Sequence, residues 1–68
     1  MAKARQVRAA LERDGWRLMR QAGSHRLYRK GDRSGVFAFH DGEDLGGPMM
    51  ARIARQFGYT LEELRRMV

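Results

Sequence analysis

The chain has no cysteine. That excludes a disulfide framework and any thiolate zinc site, and it fits a reducing cytoplasm, which is the expected location. It has no apolar run near the roughly 20 residues that span a bilayer, so no membrane is expected as a partner. The start, Met1-Ala2-Lys3-Ala4-Arg5, lacks the apolar segment of a signal peptide. There is no GxxxxGK[ST] run to cradle phosphates and no serine or cysteine triad pattern. Internal repeats and low-complexity segments are missing too. With 68 residues, the chain is expected to form a single domain over 1–68. A domain this short buries only about 60% of the surface its unfolded chain exposes, so the core must be thin.

Positive charge is plentiful and unevenly placed. The net charge is +6. Residues 1–40 hold ten Lys/Arg against three Asp/Glu, for +7; residues 41–68 hold four against five, for −1. The basic field therefore belongs to the first part of the chain, and polyanions are the partners it suits. Twelve of the fourteen basic residues are arginine, whose fork grips phosphate in bidentate fashion. A plainly solvated charged surface has the same composition.

Residues 3–14 read as a helix, with Ala4, Val7, Ala10 and Leu11 at helical spacing. Arg5 and Arg8 share one flank, where they suit a phosphate backbone or simply water. Gly15 is available for the left-handed position after the helix. Residues 16–21 read as a strand with imperfect alternation, because Leu18 and Met19 are adjacent. Trp16 is expected as a core anchor rather than a base-stacking platform. Residues 25–30 and 35–40 read as two further strands, joined by a loop at Gly31–Gly35. Short connections favour an antiparallel meander. Residues 41–47 form an acidic, glycine-rich loop. Pro48 then suits a first helical residue, and Met50, Ile53, Ala54 and Phe57 recur at i, i+3, i+4 and i+7. Gly58 stops that helix. Thr60 and Glu63 fit a capping box for a short last helix, with Tyr59 and Leu64 placed to staple it. The predicted fold is α+β: a three-stranded antiparallel sheet, two helices on one face, and a short extra C-terminal helix.

The chemistry concentrates in Arg20-Gln21-Ala22-Gly23-Ser24-His25-Arg26-Leu27-Tyr28-Arg29. A glycine turn at Gly23 leads into His25, and arginines surround it. Cleaving RNA without a metal needs a base for the 2′-hydroxyl, an acid for the leaving 5′ oxygen and cations for the phosphorane charge. Imidazole suits either proton step. Arg20, Arg26 and Arg29 are the candidate phosphate ligands, with Arg17, Lys30, Arg5 and Arg8 as outer contacts. Ser24 is a candidate to fix the turn or donate a hydrogen bond. If the second hairpin is centred between Asp32 and Arg33, His25 faces His40, and two opposed imidazoles would form an acid and base pair. That expectation depends on register. His40, Asp41, Glu43 and Asp44 offer metal-ligating atoms, but their spacing matches no zinc or calcium motif; no metal and no cofactor is expected.

Gly15-Trp16, the run Arg20-Gln21-Ala22-Gly23-Ser24-His25, a short hairpin ending near His40, and Asp44-Leu45 ahead of the second helix together resemble the HicA family of small toxins. The likeness runs over roughly residues 5–58. It implies a fold like the double-stranded RNA-binding domain (dsRBD-like), in the order α-β-β-β-α, and the activity of an mRNA interferase, a ribonuclease that cuts message. It also implies that the family's essential histidine is His25 and that a HicB-type antitoxin binds over it. Two features depart from the family pattern. Gly46-Gly47-Pro48 replaces a lysine-rich start to the second helix. Residues 59–68 extend past the usual end, where they would alter antitoxin docking or build a homodimer contact. A non-catalytic dsRBD-like module that binds RNA by shape and backbone contacts is the alternative function.

Overall fold

The computed structural model describes residues 2–68. In chain order these form β1 (Ala2–Lys3), α1 (Ala4–Arg13), β2 (Arg17–Ala22), β3 (His25–Lys30), β4 (Arg33–Ala38), β5 (Asp44–Leu45), α2 (Gly47–Phe57) and α3 (Leu61–Met67). The strands β2-β3-β4 make an antiparallel sheet in that order. This is the predicted α+β fold, with both long helices on one face.

The helices form where the apolar spacing places them. Ala4, Val7, Ala10 and Leu11 are the buried residues of α1, and Met50, Ile53, Ala54 and Phe57 those of α2. Gly58 ends α2 with φ +83°, a left-handed conformation that only glycine adopts cheaply. The Arg33 guanidinium adds to that stop. It donates to the carbonyls of Arg55 and Gln56 at 3.4 and 3.1 Å, where a cation complements the helix C-terminus.

The core is aromatic at its centre. Trp16, Tyr28, Phe37 and Phe57 are all buried. The Trp16 and Phe57 rings meet edge to face, with centroids 4.7 Å apart. Trp16 is thus the anchor the sequence suggested, and its Nε1 donates to the Tyr59 hydroxyl at 2.9 Å. Tyr59 in turn donates to Asp14, which also accepts from Lys30 Nζ at 3.0 Å. This chain of bonds ties the end of α1, the end of β3 and the start of α3 together.

The C-terminal extension completes the core. The Thr60 capping box is formed, with Glu63 N donating to Thr60 Oγ1 at 3.1 Å and Thr60 N to Glu63 Oε1 at 2.7 Å. Leu64 is fully buried, and Leu61 and Met67 pack against the same cluster. The apolar side of α3 is therefore used within the chain.

Three expectations need correction. The segment 41–47 is not all loop: Ala2 pairs with Leu45 and Lys3 with Asp44, and a 2.8 Å ion pair joins the latter two. The third strand runs 33–38, not 35–40, because the hairpin turn is shorter than predicted. Lys30 pairs with Arg33 across a two-residue turn, Gly31-Asp32. Gly31 has φ +61°, and no non-glycine residue among those described has positive φ. A positive φ at the first turn position alone is the type II′ pattern, whose twist matches the flanking strands. Gly23-Ser24 joins β2 to β3 in the same way, again with φ +61° at the glycine. The third correction follows from the second: His25 faces Ala38, not His40.

Candidate functional site

Alternation along β3 decides which side chains reach the open face. Tyr28 is buried under the helices, so Arg26 shares its side, while His25, Leu27 and Arg29 point the other way. Their cross-strand partners on β4 are Ala38, Val36 and Ser34, and on β2 they are Ala22, Arg20 and Arg17. The open face is therefore built from His25, Arg17, Arg20 and Arg29 around the small apolar floor of Leu27 and Val36. The three strands contain no Asp or Glu.

His25 is exposed and is the first residue after the Gly23-Ser24 turn. Gln21 Nε2 donates to the Gly23 carbonyl at 3.0 Å, which holds the turn. Two hollows meet at this imidazole. One, of about 240 Å³, lies on the sheet and is lined by Arg20, Gln21, Ala22, Leu27 and Val36 as well as His25. The other, of about 400 Å³, runs from His25 past Ala38 and Phe39 to Met49, Arg52 and Gln56 of α2. A third hollow of about 360 Å³, between Gln6, Gly47 and Arg65, shares no residue with these two.

The arginines around His25 in sequence divide in space. Arg20 lines the same hollow as the imidazole. Arg17 and Arg29 are directly opposed across the β2–β3 pair. Like charges so placed repel, and an anion between them would relieve that. Arg29 Nε donates to the Gly31 carbonyl at 2.9 Å, which fixes the side chain along the strand. Arg26 is drawn away: it donates to the Phe39 carbonyl at 3.3 Å and lies 3.7 Å from Asp41, with its side chain only 16% exposed. Arg8 forks onto both Asp41 oxygens at 3.1 and 3.2 Å and also reaches Glu12. Lys30 is paired with Asp14. Arg5 is exposed on α1. The structure thus brings Arg20, and from the next positions Arg17 and Arg29, to the histidine's face. It assigns Arg26, Arg8 and Lys30 to ion pairs elsewhere.

His40 stands in the turn after β4, where its backbone N–H donates to Glu43 and its carbonyl accepts from Glu43 N at 2.9 Å. The ladder ends at Ala38, so the predicted imidazole pair is not formed by strand register.

The ionic groups under the sheet explain why the open face is left cationic. The hydrogen bond from Arg8, reinforced by the charges of Arg8 and Arg26, holds the Asp41 carboxyl below the usual carboxylate range. Asp41 in turn raises the Arg8 guanidinium. The Tyr59 hydroxyl and then Lys30 lower Asp14. Burial, and then its 2.7 Å hydrogen bond to Glu12, pushes Tyr28 up to about 12. These carboxylates have partners on the helix side and do not neutralise the arginines of the open face.

Sequence reasoning missed the contribution of α2. Met49, Arg52 and Gln56 recur at i, i+3 and i+7 beside the buried stripe, so a signal was present. It marked a flank of the helix but not what that flank faces. His40, Asp41, Glu43 and Asp44, whose spacing matched no metal motif, are not gathered into a cluster either: among the described residues no group of three or more His, Cys, Asp or Glu is placed to hold a metal ion.

No curated protein and no solved structure matches the chain. A family model described as the HicA toxin of bacterial toxin-antitoxin systems matches residues 4–59. That span takes in α1, the whole sheet with the Gly23-Ser24-His25 turn, and α2. On that match the chain belongs to the HicA family, the toxins of bacterial toxin–antitoxin pairs.

Proposed function

We propose that the protein is a metal-independent endoribonuclease that cuts mRNA, with His25 as its acid–base group. The observation that carries this is the placement of His25. It is the one imidazole on an acid-free, arginine-lined sheet face, exposed at the point where two hollows meet. An RNA phosphate resting there has Arg20 on the sheet side and Arg52 on the helix side. In the reaction the 2′-hydroxyl oxygen attacks the neighbouring phosphorus while its proton passes to a base. The bond to the 5′ oxygen breaks, and that oxygen takes a proton from an acid. The products are a 2′,3′-cyclic phosphate and a 5′-hydroxyl. His25 carries one of these proton transfers, and guanidinium groups offset the charge that builds on the phosphorane.

Arg17, Arg20 and Arg29 are the phosphate-gripping residues of this scheme. Gly23 and Ser24 supply the turn that presents the imidazole. A HicB-type antitoxin that covers this face would silence the enzyme, and action on message assigns the work to the cytoplasm.

The test is cleavage of labelled mRNA in EDTA. His25→Ala should lose ~10²–10⁴-fold in rate, the usual contribution of a positioned acid or base. It should melt with the wild type, because the ring is exposed. A variant that cuts as fast as the wild type removes His25 from the chemistry. A wild type that shifts RNA but leaves it intact makes the protein a binding module.

A further inference from the structure

The hollow between the outer edge of β4 and α2 differs in character from the basic sheet face. Its walls are apolar at Val36, Ala38, Phe39, Met49 and Ile53. At about 400 Å³ it falls within the ~300–1,000 Å³ typical of small-molecule pockets. It opens directly onto His25, and it carries one cation, Arg52, and one amide, Gln56. Phe39 is held by its edge-to-face contact with Phe37, at 5.2 Å between centroids, so its ring is a fixed wall.

Gln56 is oriented by the sheet. Its Oε1 accepts from the backbone N–H of Val36, on the free edge of β4, at 2.5 Å. The oxygen is thereby used, and a backbone N–H can bond only to the oxygen, so the amide cannot be flipped. The Nε2 group makes no hydrogen bond among the described residues. Gln56 thus has two unpaired donors on Nε2 for the hollow, while one lone pair of its oxygen is already taken by the sheet edge.

We infer that this hollow is a nucleobase subsite for the nucleotide next to the scissile phosphate, and that Gln56 sets which base it takes. The inference rests on the ribonuclease reading of His25. Single-stranded RNA is commonly read by splaying a base onto aromatic and apolar side chains and bonding its edge. Here the base lies against Phe39 and Met49, and Arg52 meets its phosphate. The donors of Gln56 select an edge that presents acceptors. Guanine O6 and uracil O4 are acceptors at the positions where adenine N6 and cytosine N4 are amino groups, so G and U satisfy it on that edge and A and C do not.

The experiment uses Gln56→Glu, which keeps an oxygen for Val36 N and turns the donor position into an acceptor. Met49→Trp is the second variant. Met49 is 37% exposed, so it fills the mouth of the hollow without entering the core. Cleavage sites on a randomised RNA pool are mapped for wild type and both variants. Binding of a 2′-O-methyl pool, which has no free 2′-hydroxyl to attack, is measured alongside. The expected result is a preference for G or U at one position beside the cut. Gln56→Glu should move it towards A or C on the order of ten-fold, the low end of what a base-edge contact discriminates. Met49→Trp should erase it. Cleavage that depends on His25 but keeps the same profile in both variants overturns the subsite and leaves the nuclease standing. Binding of the 2′-O-methyl pool with a base preference that Gln56→Glu moves, while the unmodified pool is never cut, supports the base subsite and overturns the nuclease. A pool that does not bind overturns both.

Discussion

The division of arginines between the two faces of the sheet has a measurable consequence. Arg20 and Arg26 lie six residues apart on adjacent strands and look equivalent in the sequence. Arg20 lines the hollow with His25, whereas Arg26 is turned under the sheet to Phe39 and Asp41. Each phosphate neutralised on a single strand contributes about 0.7 to the slope of log K against log salt. Arg20→Ala should therefore reduce that slope by about 0.7, and the loss of affinity between 50 and 200 mM salt should shrink by about 2.6-fold, from four raised to that power. Arg26→Ala should leave the slope unchanged. It gives up one hydrogen bond and a weaker ion pair from a side chain only 16% exposed. A hydrogen bond contributes about 1 kcal/mol net, and that lowers the melting temperature of a domain this size by about 4–8 °C. The assay is fluorescence anisotropy with an unstructured RNA across a salt series, in a His25→Ala background so that the RNA stays whole. Melting curves accompany it. If Arg26→Ala flattens the salt dependence as much as Arg20→Ala, the two side chains share a face and the register argument fails. If Arg20→Ala changes nothing, RNA does not lie on this face.

The remaining predictions concern the second histidine, packing, capping and acid stability. His40→Ala should cleave RNA close to the wild-type rate, since the ladder places Ala38 and not His40 opposite His25; a ~10²–10⁴-fold loss would restore it as a partner. Gly35→Ala should destabilise by about 1–3 kcal/mol, the usual cost of overpacking, because the added methyl would stand 2.8 Å from Phe57 Cε1; a melting temperature equal to the wild type's would show that the ring can yield. Thr60→Ala should cost about 1 kcal/mol and loosen α3, read as faster amide exchange at Leu64, and unchanged exchange there would show that packing alone holds the helix. Asp14 has its carboxyl lowered by Tyr59 and Lys30, so its stabilisation is present above the ordinary carboxylate value and is lost as pH falls through its lowered value. Asp14→Asn should thus be less stable than the wild type at pH 7, with the gap closing in acid; a gap that stays constant with pH would remove the ionised form from the explanation.

Much of the fold was legible because its signals are local. The stripes of α1 and α2, the stop at Gly58 and the Thr60 box each depend on residues within a turn or two of one another, and each is found where the spacing put it. The sheet was legible in number and direction but not in register. Gly31-Asp32 and Gly31-Asp32-Arg33-Ser34 are both acceptable turn sequences, and the difference of two residues moved His40 off the ladder. What chose the shorter turn is not in the loop itself. Phe37 and Gly35 must face inward, with Phe57 lying against Gly35 where any side chain would collide. A strand shifted by two would keep the inward parity, but it would offer Phe39 in place of Phe37 opposite Arg26. The same kind of long-range choice hid Arg52 and Gln56. Their spacing on α2 marks an exposed flank, but only the packing of that helix against β4 turns the flank towards His25. Paired β1 and β5 were invisible for a related reason: two residues on each side carry no periodicity, and the pairing joins the residues just before α1 to those just before α2, which are distant in the sequence. In this small domain His25 stood out as a candidate from its neighbours in the chain, whereas Arg52 and Gln56 could be set beside it only from their neighbours in space.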